Sequence, residues 1–164
     1  MNSKSDSLTY VNMMVNALQQ KSDVLDILFG LTEQQESILK ETEVDVDQFT
    51  TITEKKGVEI DRLNALDDGF DSLYRKLESE LMGDQGKYAD EIEKMKGLIE
   101  KITETSVKIQ VIEKRNYERF QEFMKEERTR LRNANVSSQT AKTYAQNMAG
   151  AHKPGNSYFV NETK

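Results

Sequence analysis

From Val11 onward the apolar positions step by three and four: Val11, Met14, Leu18, Leu25, Leu28, then Ile38 and Leu39. That spacing places them on one face of a helix, whereas a half-buried strand alternates at every second residue. Two polar residues, Lys21 and Gln35, interrupt the face; polar groups in a helical seam can set register. The pattern predicts a first helix over about 6–42, with Ser5 or Asp6 as its cap.

The pattern falters at "ETEVDVDQFT", where Val44, Asp45, Val46 and Asp47 alternate briefly and helix formers are weak. A connection or kink therefore falls near Thr42 to Asp47. Asp45 or Asp47 can cap a second helix, and Thr51 with Glu54 fits a capping box if that helix starts later. One continuous kinked helix is the alternative. The second helix, about 47–81, carries Phe49, Ile52, Ile60, Leu63, Leu66, Phe70, Leu73, Leu77 and Leu81. Gly57 and Gly69 lie inside it and weaken it by roughly 1 kcal/mol each relative to Ala. Two glycines three apart in "MGDQGKY" mark a turn into the next helix.

The third helix, about 87–133, is the longest periodic run. Ile92, Met95, Ile99, Ile102, Ile109 and Ile112 lead into Tyr117, Phe120, Phe123, Met124 and Leu131. At 1.5 Å per residue it is about 70 Å long against about 50–55 Å for the other two, so one end should overhang them. Short connections between long amphipathic helices make antiparallel neighbours. The expected fold is all-α: an elongated antiparallel three-helix bundle or coiled coil over 1–133, followed by a flexible C-terminal tail over 134–164.

Composition agrees with long helices. One proline in 164 residues and 32% charged residues exclude a turn-rich sandwich or barrel. The net charge is −6, yet residues 134–164 hold three lysines (Lys142, Lys153, Lys164) against one acid (Glu162), a net +2, which leaves −8 for residues 1–133. An acidic surface repels phosphates, and the stripe Arg128, Arg130, Arg132 is preceded by Glu122, Glu126 and Glu127, so it reads as a solvated face. Nucleic acid is not an expected partner. No run of about 18 apolar residues occurs and the start has no apolar core of signal-peptide length, so a cytoplasmic protein without stable membrane insertion is expected.

Candidate chemistry is sparse. With no cysteine there is no thiolate or disulfide, and the lone His152 sits in the turn-like "AHKPG". Asp45 and Asp47 lack the further oxygen ligand and glycine of a calcium loop, since Phe49 and Thr50 stand there. No phosphate-cradling glycine motif or nucleophile elbow is present. Neither an enzyme nor a cofactor or metal is expected.

Recognition surfaces remain. Tyr117, Phe120 and Met124 fall at i, i+3, i+7 with Phe123 beside them: core packing in one reading, an exposed binding face on the overhang in the other. In the tail, Ala141, Tyr144, Ala145 and Met148 fall at i, i+3, i+4, i+7. A helix of under three turns is unstable alone in water but can order on docking; the alternative is a disordered tail with incidental aromatics.

The whole arrangement resembles the flagellar export chaperones of the FlgN type. The matching run is "QQESILKETEVDVDQFTTITEKKGVEIDRLNAL", with Glu36, Leu39, Asp47, Lys55 or Lys56, and Leu63, and "NSYFVNETK" resembles the aromatic, Lys-terminated ends of some members. The resemblance implies a non-catalytic cytosolic chaperone. It would bind hook-associated flagellar proteins at their C-terminal helical segments, keep them unassembled and deliver them to the flagellar secretion apparatus. It implies partner contacts at Tyr144, Met148, Tyr158 and Phe159, and secondarily at Tyr117, Phe120 and Phe123, with the chaperone a monomer or homodimer. The competing readings are a structural, self-associating coiled-coil adaptor, and another secretion chaperone with different cargo.

Overall fold

The structure, a computed structural model, describes residues 3–83, 85–134 and 145–146. It is an all-α helical bundle: α1 (Ser3–Lys40), α2 (Val46–Gly83), a short 3₁₀ helix (Gln85–Tyr88) and α3 (Ala89–Ala134). α1 and α2 are separate helices, joined through 41–45, so the kinked continuous helix is excluded. Asp45 makes the break: its Oδ1 accepts from Gln48 N at 3.0 Å while its carbonyl accepts from Phe49 N at 3.0 Å, the geometry of an N-cap. Asp47 sits in the first turn, where its charge suits the helix dipole. Thr51 does not start a capping box; its hydroxyl donates back to Asp47 O at 3.0 Å inside the helix. α1 begins at Ser3, upstream of the expected caps, which puts Asp6 within its first turn.

The chain groups into two compact units, through both of which the three helices pass. Unit 1 holds residues 1–26 and 61–105; unit 2 holds 27–60 and 106–164. In each, the chain direction reverses from α1 to α2 and again to α3.

Unit 1 is built on Val11, Met14, Leu18 and Leu25 of α1, Leu63, Leu77 and Leu81 of α2, and Tyr88, Met95 and Ile102 around the start of α3, all buried. Lys21, the first polar entry in the α1 face, is buried and pairs with Asp67 of α2 at 2.9 Å. Unit 2 holds a second cluster: Leu31, Ile38 and Leu39 of α1, Phe49 and Ile52 of α2, and Phe120 of α3. The Phe49 and Phe120 rings stack, with centroids 6.1 Å apart and planes 17° from parallel. Such aromatic pairs contribute about 0.5–1.5 kcal/mol beyond their buried area.

The helical faces follow a seven-residue repeat. Along α1 a seam of buried residues, Val11, Met14, Leu18, Lys21, Leu25, Leu28, Thr32, Gln35 and Leu39, steps by three and four without a slip, with Ser22, Val24, Leu31 and Ile38 buried beside it. From Tyr88, at the end of the 3₁₀ helix, into α3, Tyr88, Met95, Ile102, Ile109 and Asn116 are each seven apart and buried. One position departs from expectation: Ile99 is 49% exposed, and Leu98, three residues after Met95 and four before Ile102, is the half-buried one.

Candidate functional site

Unit 2 carries both chemically distinctive features of the described residues, a buried polar layer and an open groove. The layer is assembled from the seam positions of all three helices. Lys56 lies seven residues after Phe49 and seven before Leu63, so the repeat of α2 turns it inward, and it is buried. Its Nζ donates to Gln35 Oε1 of α1 at 2.8 Å and contacts the Glu113 carboxylate of α3 as an ion pair. Gln35 Nε2 donates in turn to Thr53 Oγ1 at 2.9 Å, and Thr53 donates to Phe49 O at 2.9 Å. Thr32 Oγ1 donates to Leu28 O at 2.7 Å and lies 3.3 Å from Glu113 Oε1. Asn116 Nδ2 donates to Thr32 O at 3.1 Å, while its buried Oδ1 has no hydrogen-bond partner.

Burial lowers the Lys56 ammonium from 10.5 to about 7, so the carboxylate contact does not fully offset desolvation. A buried pair of this kind contributes little net stability against an apolar replacement. Its effect is on uniqueness, because any register slip strands Lys56 or Glu113 in the apolar cluster. One turn further along, Glu36 accepts from Arg115 Nε at 3.0 Å and lies 3.5 Å from Arg119 Nη1, the latter an ion pair without hydrogen-bond geometry. These pairs are half exposed and tie α3 to α1 by about 1 kcal/mol or less each.

The groove, about 660 Å³, lies between the α1–α2 connection and the last turns of α3. Leu39, Val44, Val46 and Phe123 form its apolar floor. Val44 and Phe123 are half-buried and pack on the Phe49–Phe120 cluster, which holds the floor rigid from beneath. The rim is acidic, with Glu41, Glu43, Glu122, Glu126 and Glu127. α3 continues past the last lining residue, Arg130, to Ala134.

The structure separates the aromatic residues singled out on the third helix. Phe120 is core, 6% exposed and covered by Phe49. Phe123 lines the groove, and Tyr117, 40% exposed, stands on the surface outside its lining. Tyr144, Met148, Tyr158 and Phe159 lie outside the described residues. Ala145 and Gln146, between the first two, are helical and exposed. Periodicity alone does not reveal the groove, because Glu41, Thr42, Glu43 and Val44 of its lining come from the connection at 41–45. Lys56 was legible by counting sevens from Phe49, but the doublet Lys55–Lys56 reads as a solvated face until that count is made.

Among the described residues no helix is long and apolar enough to cross a membrane. A comparison with curated proteins and one with solved structures give no match. Against protein-family models, residues 9–151 match the family described as FlgN protein. That span takes in nearly all of the three helices and runs beyond α3. The chain therefore belongs to the FlgN protein family of flagellar export chaperones.

Proposed function

We propose that this chaperone acts in the cytosol on hook-associated flagellar proteins. It binds their C-terminal helical segments, keeps them unassembled and passes them to the export apparatus. The observation that carries the reading is the extent of the family match. It runs past the end of α3 at Ala134 to residue 151, so the family pattern includes the amphipathic stretch 141–148. A bundle that served only as a scaffold would not need that stretch. Partner contacts are assigned to Tyr144, Met148, Tyr158 and Phe159, and secondarily to Phe123 and Tyr117, with Phe120 acting from the core beneath Phe123. A short segment of this kind orders on binding, which favours readily reversible capture. The rival reading of a self-associating coiled coil is disfavoured, because the seam positions of α1 are already buried within the chain.

The test is a pull-down with the tagged chain against hook-associated proteins, flagellin and hook subunit. Retention of the hook-associated proteins alone is expected, with loss when their C-terminal helical segments are deleted. Equal retention of all, or of none, contradicts the reading.

A further inference from the structure

The groove has an apolar floor and a rim whose charge is not balanced locally. Arg119 and Lys40 are engaged by Glu36, and Arg130 by Glu127 at 3.2 Å. Glu41, Glu43, Glu122 and Glu126 have no ion pair among the described residues. An occupant must therefore bring an apolar face of a few residues together with positive charge. The chain itself contains such a segment, and its tether begins beside the groove. Residues 135–164 carry a net +2, and Ala141, Tyr144, Ala145 and Met148 share one helical face with Lys142 flanking it. The helical conformation of Ala145 and Gln146 fits that face.

The distances agree. The groove residues of α3 run from Arg119 to Arg130, so they lie about 6–22 Å back from Ala134 along the helix. Tyr144 is ten Cα–Cα steps beyond Ala134, and a flexible tether of that length has a root-mean-square span of about 16–19 Å. A matched tether gives an effective concentration in the millimolar range, so a contact with an intrinsic Kd of about 0.1 mM is occupied roughly nine-tenths of the time.

We infer that the C-terminal segment docks on its own chain, laying Tyr144 and Met148 over Leu39, Val44, Val46 and Phe123 with Lys142 toward the rim glutamates. Docking concerns the free chain and does not depend on which cargo it carries. Because the proposed cargo contacts use the same Tyr144 and Met148, cargo and groove compete for the segment.

The absence of cysteine allows a clean crosslinking test in the full-length chain. Thr42→Cys on the groove lining is paired with Thr143→Cys beside Tyr144, and Val58→Cys, a 60% exposed position of α2 outside the groove lining, is paired with Thr143→Cys as the control, so that Tyr144, Met148 and the apolar floor stay intact. Glu43→Cys on the rim is a second groove anchor should Thr42→Cys perturb folding. With a short bis-maleimide, the groove pairs are expected to form intramolecular product at least about tenfold faster than the control. Adding Glu122→Lys and Glu126→Lys is expected to remove that advantage. Equal rates for groove and control pairs overturn the inference. So does an advantage that survives charge reversal. Predominantly intermolecular product also overturns it, by assigning the groove to the tail of a second copy.

Discussion

Replacing Lys56 by Met should destabilise the chain far more than a lysine-to-methionine change normally does. The ammonium is buried at a seam position of α2, where it is shared by Gln35 Oε1 and the Glu113 carboxylate. Without it, the Glu113 carboxylate, whose side chain is 12% exposed, loses the Lys56 charge that faces it. Thr32 is a poor substitute: its one hydroxyl proton is held by Leu28 O at 2.7 Å, ahead of the 3.3 Å approach to Glu113. Breaking one side of a buried pair typically costs about 3–5 kcal/mol, a large share of the roughly 5–15 kcal/mol that holds a domain folded. Removing both charges is different. The double variant Lys56→Met, Glu113→Leu should return to within about 1 kcal/mol of the parent, since an apolar layer replaces both desolvated groups. Urea unfolding followed by circular dichroism at about pH 6, where Lys56 is protonated, gives the four corners of the cycle, with exposed Lys55→Met expected within about 0.5 kcal/mol of the parent. The coupling should be at least about 2 kcal/mol. Single variants that each lose less than about 1 kcal/mol, with a double variant equal to their sum, would refute the reasoning by showing the pair to be solvated.

The same lysine makes stability depend on pH. Its folded value is about 7 against 10.5 unfolded, so above pH 7 the unfolded chain holds a proton that the folded chain has released. Stability should therefore rise with pH from 7 towards 10.5, by at most about 1.4 kcal/mol per unit, and Lys56→Met should lack that rise; parallel profiles of urea midpoint for the two chains would contradict it. Gly57 and Gly69 lie within α2, with nothing within 4 Å of a built Cβ. Changing each to Ala should stabilise by about 0.5–1 kcal/mol, additively, and raise Tm by roughly 2–4 °C per kcal/mol in a thermal melt. Phe120→Ala should lose about 3–5 kcal/mol through the cavity left beside Phe49, whereas Tyr117→Ala should unfold close to the parent. Denaturation of the two variants thus separates core loss from surface loss before any binding assay.

Much of the fold is legible in the sequence because burial here follows spacing more than residue type. Lys21 and Gln35 interrupt the apolar face of α1 and are nevertheless buried, since the seven-residue repeat fixes where a side chain points and Asp67, Lys56 and Thr53 satisfy them there. The break at 41–45 is legible from weak helix formers and from Asp45, whose side chain is built for a cap. Spacing decides less where two apolar residues are adjacent. Leu98 and Ile99 are both strongly apolar and both fit steps of three and four between Met95 and Ile102, yet only Leu98 is turned inward. Likewise Phe120 and Phe123 both read as core or as surface, until Phe49 of another helix covers the first and leaves the second on the groove. The groove depends on where a five-residue connection lies against α3, a tertiary relation that no local pattern encodes.

The central claim, that this chain captures the C-terminal helical segment of a hook-associated protein, is tested most directly by calorimetric titration of the full-length chaperone. The titrants are a hook-associated protein and the same protein lacking that segment. Stoichiometric binding to the intact protein is expected, weakened at least about tenfold by Tyr144→Ala with Met148→Ala, which is about 1.4 kcal/mol, with no heat from the shortened protein. Undiminished binding to the shortened protein would contradict it.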